Sequence, residues 1–132
     1  KSNDIKIKKY IEKELPLIKG NNVQLQQAFI NIFFNAMQAV ESTGKIEITC
    51  EKVSVKNTIK ICIEDNGKGI EANNIKKIFK PFFSTRNDGN GFGLAIVKLV
   101  IEKFHGTIEV KSKLGIGTKF IIYLPYEEQL NE

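Results

Sequence analysis

Apolar and polar residues alternate along five stretches of the chain and gather with helical spacing along two others. Residues 5–12 (IKIKKYIE) predict a strand whose lysines suit a sheet edge. A helix is predicted from a cap at Asn21 or Asn22 to about Glu41. After the Ser42-Thr43-Gly44 turn, the runs 45–53 and 58–65 predict a hairpin joined near Lys56-Asn57. A short helix near 73–79 leads to Pro81 and a polar, Gly-rich stretch to about residue 92. A helix over 94–104 is predicted to end at Gly106. Strands 107–112 and 118–124 then flank the Gly115-Ile116-Gly117 turn, and Pro125 stops the second. The charged tail beyond it is expected to fray.

Side chains alternate between the faces of a strand, so parity assigns a core face. Ile46, Ile48 and Cys50 share one face; so do Ile59, Ile61 and Ile63, then Ile108 and Val110, then Phe120, Ile122 and Leu124. The opposite positions are largely Lys, Glu and Thr. One sheet face is therefore covered and the other wet. The expected fold is α/β: a two-layer sandwich of a mixed, mainly antiparallel sheet under about three helices. All 132 residues make a single domain, with its core over about 5–125 and a tail over 126–132.

Composition changes this picture little. At 42% hydrophobic and 27% charged it is that of a globular protein. The net charge of +5 is spread along the chain without a basic run, which fits a solvated surface and argues against nucleic acid as a partner. The uncharged stretch 20–40 holds eight Asn or Gln among its residues, so it predicts a buried helix instead of a membrane span. Cys50 and Cys62 fall on opposite faces of their strands and are expected to be reduced thiols of a cytoplasmic protein. Lys1 stands where a Met would begin a complete chain, so a piece of something larger is expected.

Three features put polar groups where the pattern demands apolar ones. Asp65 continues the parity of Ile59, Ile61 and Ile63, so its carboxylate is aimed at the helix layer and needs donors. The plainer reading is an Asp that opens the turn Asn66-Gly67-Lys68-Gly69. On the long helix, Leu25, Ala28, Phe29, Ile32, Ala36 and Val40 form the main apolar face, with Ile30, Phe34 and Met37 a second patch. Gln24, Gln27, Asn31, Asn35 and Gln38 form a narrow stripe of neutral amides: either a partly exposed stripe, or a polar pocket whose Asn oxygens suit a hard cation such as Mg²⁺. Thr118 shares the inward parity of Phe120, though a core-facing Thr beside glycines is also common. Finally, "NDGNGFGL" (87–94) runs into a helix N-terminus, where free N–H groups favour an anion. It lacks the Gly-Lys-Ser/Thr of a Walker A loop and the spacing of a dinucleotide fingerprint.

The segments "NIFFNA" (31–36), "DNGKGI" (65–70), "IFKPFFSTR" (78–86), "GNGFGLAI" (89–96) and "GIGTKF" (115–120) occur in that order. Together they closely resemble the Asn box, first Gly box, Phe box, second Gly box and final Gly-Thr motif of sensor histidine kinases, over roughly residues 5 to 125. The chain is similar to the catalytic and ATP-binding domain of that family, whose fold is shared with DNA gyrase, heat-shock chaperones and mismatch-repair ATPases.

The resemblance implies a site for ATP and Mg²⁺. Asp65 accepts the adenine amine, in a pocket that also takes in Gly67, Gly69 and Ile70, with Gly69 giving the base room and Thr118 assisting. Asn35 ligates Mg²⁺, with Asn31 beside the phosphates. The loop from about 80 to 93 is the ATP lid, packed by Phe82 and Phe83, with Phe92 inside it and Arg86 reaching a phosphate. Backbone N–H groups of Gly91, Gly93 and Leu94 hold phosphates. Gln38 stands where many members carry a phosphate-binding Lys, and Arg86 where many carry Lys. Asn31 replaces the acid that gyrase-like ATPases and anti-sigma serine kinases place there, which disfavours hydrolysis.

The implied activity is therefore transfer of the γ-phosphoryl group, assisted by Asn35 and Arg86, to a histidine on a separate dimerisation domain. From there it passes to a response regulator. His105, the single histidine, lacks the neighbours of a phospho-acceptor and is assigned a structural place at a helix end. The isolated domain is expected to be monomeric, and cytoplasmic even if the whole sensor is membrane-bound. The rival readings are an ATPase or serine kinase of the same fold, or a docking module without nucleotide.

Overall fold

The computed structural model describes residues 4–16, 22–40, 43–81 and 93–126. Five strands, β1 (Asp4–Ile11), β2 (Thr43–Val53), β3 (Thr58–Asp65), β4 (Thr107–Lys113) and β5 (Gly117–Pro125), form a sheet in the order β1-β2-β3-β5-β4. β1 runs parallel to β2 at one edge, and the other three pairings are antiparallel. The lysine-rich β1 thus lies where its sequence predicts. Two main helices, α1 (Asn22–Ala39) and α3 (Gly93–Lys103), pack against each other and against the sheet, with the short α2 (Ala72–Ile75) near β4.

Parity holds across the sheet. Ile46, Ile59, Ile61, Ile63, Phe120, Ile122 and Leu124 are buried beneath Leu25, Ala28, Ile32, Ala36 and Val40 of the α1 stretch and Val97 and Ile101 of α3. Burial of each large side chain in this set contributes about 1.5–3 kcal/mol, so this interlayer core is what fixes the strands that carry the site. The opposite face is mostly solvated, except that Cys62 and Ile121, cross-strand partners on the central strands, are also buried. The two cysteines are free, and burial, followed by the neighbouring Cys62, pushes the Cys50 thiol above its ordinary value. A raised thiol is a poor nucleophile.

Several details depart from the sequence pattern. Of the second apolar patch of α1, Ile30 and Phe34 are exposed while Met37 is half-buried against the core. The helix expected over 73–79 shrinks to Ala72–Ile75, followed by tight turns in which Lys77 N–H bonds Asn74 O and Lys80 N–H bonds Lys77 O. Those bonds span three residues instead of four, the tighter 3₁₀ spacing.

The end of α3 also differs. His105, not Gly106, takes the left-handed conformation, with φ 63°. His105 N–H bonds Glu102 O at 2.9 Å and Gly106 N–H bonds Ile101 O at 2.9 Å, the paired bonds of a Schellman cap. Gly106 has a different reason to be glycine: a Cβ there would lie 2.5 Å from Tyr123 O. Order also extends past the predicted core, because Tyr126 is buried and its N–H bonds Asn57 O.

Candidate functional site

The C-terminal end of β3 supplies a buried acidic side chain. Asp65 is only 5% exposed and lies on the helix-facing side, as parity demands. Its Oδ1 accepts Gly67 N–H at 2.8 Å, so the turn-opening role is real as well. Burial pushes the carboxyl above its ordinary 3.8, the amides of Gly67 and Thr118 pull it part of the way back, and Glu64 adds a smaller upward push. The fold holds this carboxylate in place at a cost that its internal donors do not fully offset.

The turn that follows is tied down on three sides. Asn66 N–H bonds Lys45 O while Asn66 Oδ1 accepts Lys45 N–H; Lys68 N–H bonds Ala39 O at the end of α1; Gly115 N–H bonds Lys68 O. Such close approach explains two glycines. A Cβ on Gly67 would lie 2.3 Å from Ala39 O, and one on Gly69, which has φ +74°, would lie 2.2 Å from Lys113 O. The contact that forbids a side chain at Gly69 is thus with the chain's own β4–β5 turn.

Thr118 is the register partner of Asp65 and is likewise 5% exposed. Its hydroxyl lies 2.8 Å from that of Ser112, its partner across β4–β5. Ser112 Oγ also accepts Ile70 N–H at 2.8 Å and donates to Gly117 O at 2.9 Å. Ser112 is absent from the residues singled out in the sequence, although it continues the inward parity of Ile108 and Val110 as Asp65 continues that of its own strand.

The amide stripe of α1 is more open. Asn31 and Asn35 are half-buried, whereas Gln24, Gln27 and Gln38 are exposed. Gln27 Nε2 reaches Asn31 Oδ1 at 3.4 Å, and Gln24 Oε1 accepts Lys103 Nζ of α3 at 3.0 Å. The partly exposed reading therefore describes its Gln residues at both ends, while the two Asn side chains between them sit closer to the core. Gly93 and Leu94 open α3, one residue before its predicted start, and among the described residues nothing beyond the chain neighbours and the helix's own backbone lies within 4 Å of the place a Gly93 Cβ would occupy. Phe79 meets Phe120 edge-on at 6.3 Å with Lys98 of α3 over its ring, joining the Phe-box segment to β5. Phe82, Phe83, Arg86, Gly91 and Phe92 lie outside the described residues.

His105 is exposed at the helix cap, as assigned. Among the described residues no group of three His, Cys, Asp or Glu could hold a metal, and no helix is long and apolar enough to cross a membrane. An open concavity of about 580 Å³ at the Asp65 end of the sheet is lined by the outward-facing Lys45, Glu47, Glu64, Lys111 and Lys119 and also reaches Asp65, Ser112 and Thr118. Its mixed charges make it a solvated trough.

Residues 20–128 match the family described as histidine kinase-, DNA gyrase B- and HSP90-like ATPase. Among curated relatives, the chain is 36% identical over 124 residues to the sensor histidine kinase ZraS of Escherichia coli strain K12, covering 94% of this chain and 26% of that protein. It is 40% identical over 122 residues to the signal transduction histidine-protein kinase AtoS of the same strain, covering 92% of this chain and 20% of that protein. The chain thus spans about a quarter of the length of such relatives. Among solved structures it is similar to the mycobacterial sensor histidine kinase MprB, with TM-score 0.83 and 26% identity over 92% of this chain and 84% of that one. The catalytic domain of the histidine kinase ThkA gives TM-score 0.80 and 30% identity over 92% and 78%. Full-length ShkA, solved in complex with AMPPNP, gives 0.81 and 27% over 96% and 27%. A buried Asp on a Gly turn, two half-buried Asn on one helix, a Gly-started second helix and a matching family profile agree: the chain belongs to the histidine kinase-, DNA gyrase B- and HSP90-like ATPase family and has the fold of a sensor histidine kinase catalytic domain.

Proposed function

We propose that this domain binds ATP with Mg²⁺ and donates the γ-phosphoryl group to a histidine on a separate dimerisation domain of a two-component sensor kinase. The observation that carries the reading is the buried Asp65 carboxylate on its anchored turn. An ionised carboxylate is acceptor-only, so it selects a ligand that brings a donor, as the exocyclic amine of adenine does. Gly67, Gly69 and Ile70 shape the floor beside it, and Thr118 adds a hydroxyl. ShkA was solved with an ATP analogue, which supports the same ligand class for this chain.

Mg²⁺ fits the remaining residues. This ion keeps several waters and takes only one or two protein ligands beside substrate phosphates, so the absence of an acidic cluster among the described residues is no obstacle. Asn35 would hold it through its amide oxygen, and the ion would supply neutralisation of phosphate charge. Asn31 and Gln38 flank that position on α1, while the N–H groups of Gly91, Gly93 and Leu94, with Arg86, would hold phosphate oxygens. What the protein does is mostly positioning and charge compensation.

Asn31 cannot act as a general base toward water, which favours transfer over hydrolysis. The exposed, capping His105 does not offer an internal acceptor. A dimerisation domain of the same kinase is the proposed acceptor, a receiver domain the next recipient, and the cytoplasm, where ATP is supplied, the proposed location. Labelled ATP tests this directly. The domain alone should bind ATP without labelling itself or hydrolysing it briskly. Adding the cognate dimerisation domain should give an acid-labile, base-stable label on a histidine of that added domain. Label on this chain alone, or brisk hydrolysis without a partner, would move the protein to the serine-kinase or ATPase branch.

A further inference from the structure

We propose that Ser112 is a positioning residue that sets the hydrogen-bond polarity of the pocket floor, making Thr118 an acceptor and so sharpening the choice of an amine-bearing base. The inference rests on the ATP reading above and adds a residue to it. It follows from counting protons.

Ser112 Oγ makes three polar contacts: Ile70 N–H at 2.8 Å, Gly117 O at 2.9 Å and Thr118 Oγ1 at 2.8 Å. A serine hydroxyl has one proton and two lone pairs. Ile70 N–H is necessarily a donor and Gly117 O necessarily an acceptor. Only one arrangement puts a proton in every contact: Ser112 donates to Gly117 O and accepts from both Ile70 N–H and the Thr118 hydroxyl. The opposite choice, Ser112 donating to Thr118, leaves two oxygens 2.9 Å apart with no proton between them.

The consequence falls on the ligand. With its proton committed to Ser112, Thr118 has only lone pairs left to offer. Thr118 and Asp65 are cross-strand partners and project from the same face. The floor therefore presents acceptors alone. A 6-amino purine, whose exocyclic nitrogen carries two protons, or a water that donates to both groups, satisfies them; a 6-oxo purine turns the exocyclic position into an acceptor and keeps only its N1–H donor, one ring position away, so at least one of the two acceptors is left unpaired. A site built around hydrogen-bond partners discriminates strongly against analogues that cannot supply them.

Binding of ATP and of inosine triphosphate, which carries the 6-oxo group, tests the inference by calorimetry on the same chain. Ser112→Ala frees the Thr118 proton to rotate toward the ligand, and the ATP-over-ITP preference should fall about tenfold, the equivalent of one hydrogen bond. Ser112→Thr keeps the hydroxyl and should keep the preference. In a Thr118→Val background, Ser112→Ala should no longer change the ratio, because the residue acts through Thr118. A merely structural role would weaken both nucleotides alike. If Ser112→Ala does not fold, the nearly isosteric Ser112→Cys, a weak acceptor, decides instead and should also lose preference. A folded Ala or Cys variant with the wild-type ratio, or a ratio that still falls in the Thr118→Val background, overturns the proposal while leaving the ATP reading intact. Wild-type protein that binds neither nucleotide overturns both.

Discussion

The two halves of the candidate site are built differently. At the sheet end, Asp65, Thr118 and Ser112 are fixed by strand register and by backbone donors: Gly67 N–H to Asp65, Ile70 N–H to Ser112, Lys68 N–H to Ala39 O. On α1, Asn31 and Asn35 are half-buried, and the contact from Gln27 to Asn31 is a long 3.4 Å between side chains of one helix. Backbone-anchored groups lose little freedom when a ligand arrives, whereas a side chain held through a long side-chain contact, as Asn31 is, has more freedom to lose. On the proposed reading, the base end of the site is preformed, and among the described residues the cation end is less so. Under the proposed function, such a division would let the domain hold the base in one pose while the phosphate side adapts to an acceptor.

Removing the centre of the preformed half should have the largest effect. Asp65→Ala is expected to lower ATP affinity by at least about 2 kcal/mol, the range for a hydrogen bond to a charged group, in a domain that remains folded. The core strands do not depend on that carboxylate: Ile63 and Phe120 beside it stay buried through their own packing. Calorimetry giving unchanged ATP affinity in a folded variant would place the base elsewhere and dissolve the contrast.

A change on the helical half should cost less and depend on conditions. Asn35→Ala is expected to weaken ATP by about 1 kcal/mol when Mg²⁺ is saturating and by little when it is chelated. Titrations at two Mg²⁺ concentrations separate the outcomes. Identical Mg²⁺ dependence in variant and wild type would show that Asn35 is not the ligand.

Much of this was legible in the sequence, for a physical reason. Strand parity is a local property, so the buried faces and the inward Asp65 could be read from Ile59, Ile61 and Ile63 alone. Ser112 carries the same signal, but its importance lies in what it opposes, which no single strand shows. The Ser112–Thr118 and Asp65–Thr118 pairings are cross-strand register, fixed by the β4–β5 turn and the packed face together. The Gly69 contact with Lys113 O is likewise long-range. At the end of α3, glycine's αL preference pointed to Gly106, yet His105 takes that conformation because Gly106 is needed where Tyr123 O approaches. The pattern of α1 showed two apolar patches but could not say how far the second would be covered: Met37 packs against the core, while Ile30 and Phe34 stay exposed.

The smallest expected effect probes how the preformed half is maintained. Because burial raises the Asp65 pKa, the folded state holds this proton more tightly than the unfolded chain does. Between the ordinary 3.8 and the raised folded value, the native state binds more protons, so stability falls as pH rises through that window. Relative to Asp65→Ala, the wild-type domain should therefore gain stability as pH falls from neutral through the folded pKa, and level off below 3.8. The gain amounts to about 1.4 kcal/mol for each unit of pKa elevation. Denaturant melts of both proteins across that range give the difference, which removes the contribution of the other carboxylates. Saturating ATP should shrink the pH dependence, because an amine donating to Asp65 favours its ionised form and lowers its pKa. A wild-type advantage that grows with rising pH would mean that the internal amides of Gly67 and Thr118 outweigh burial. The carboxylate would then be satisfied without a ligand, and the base pocket would lose its driving force.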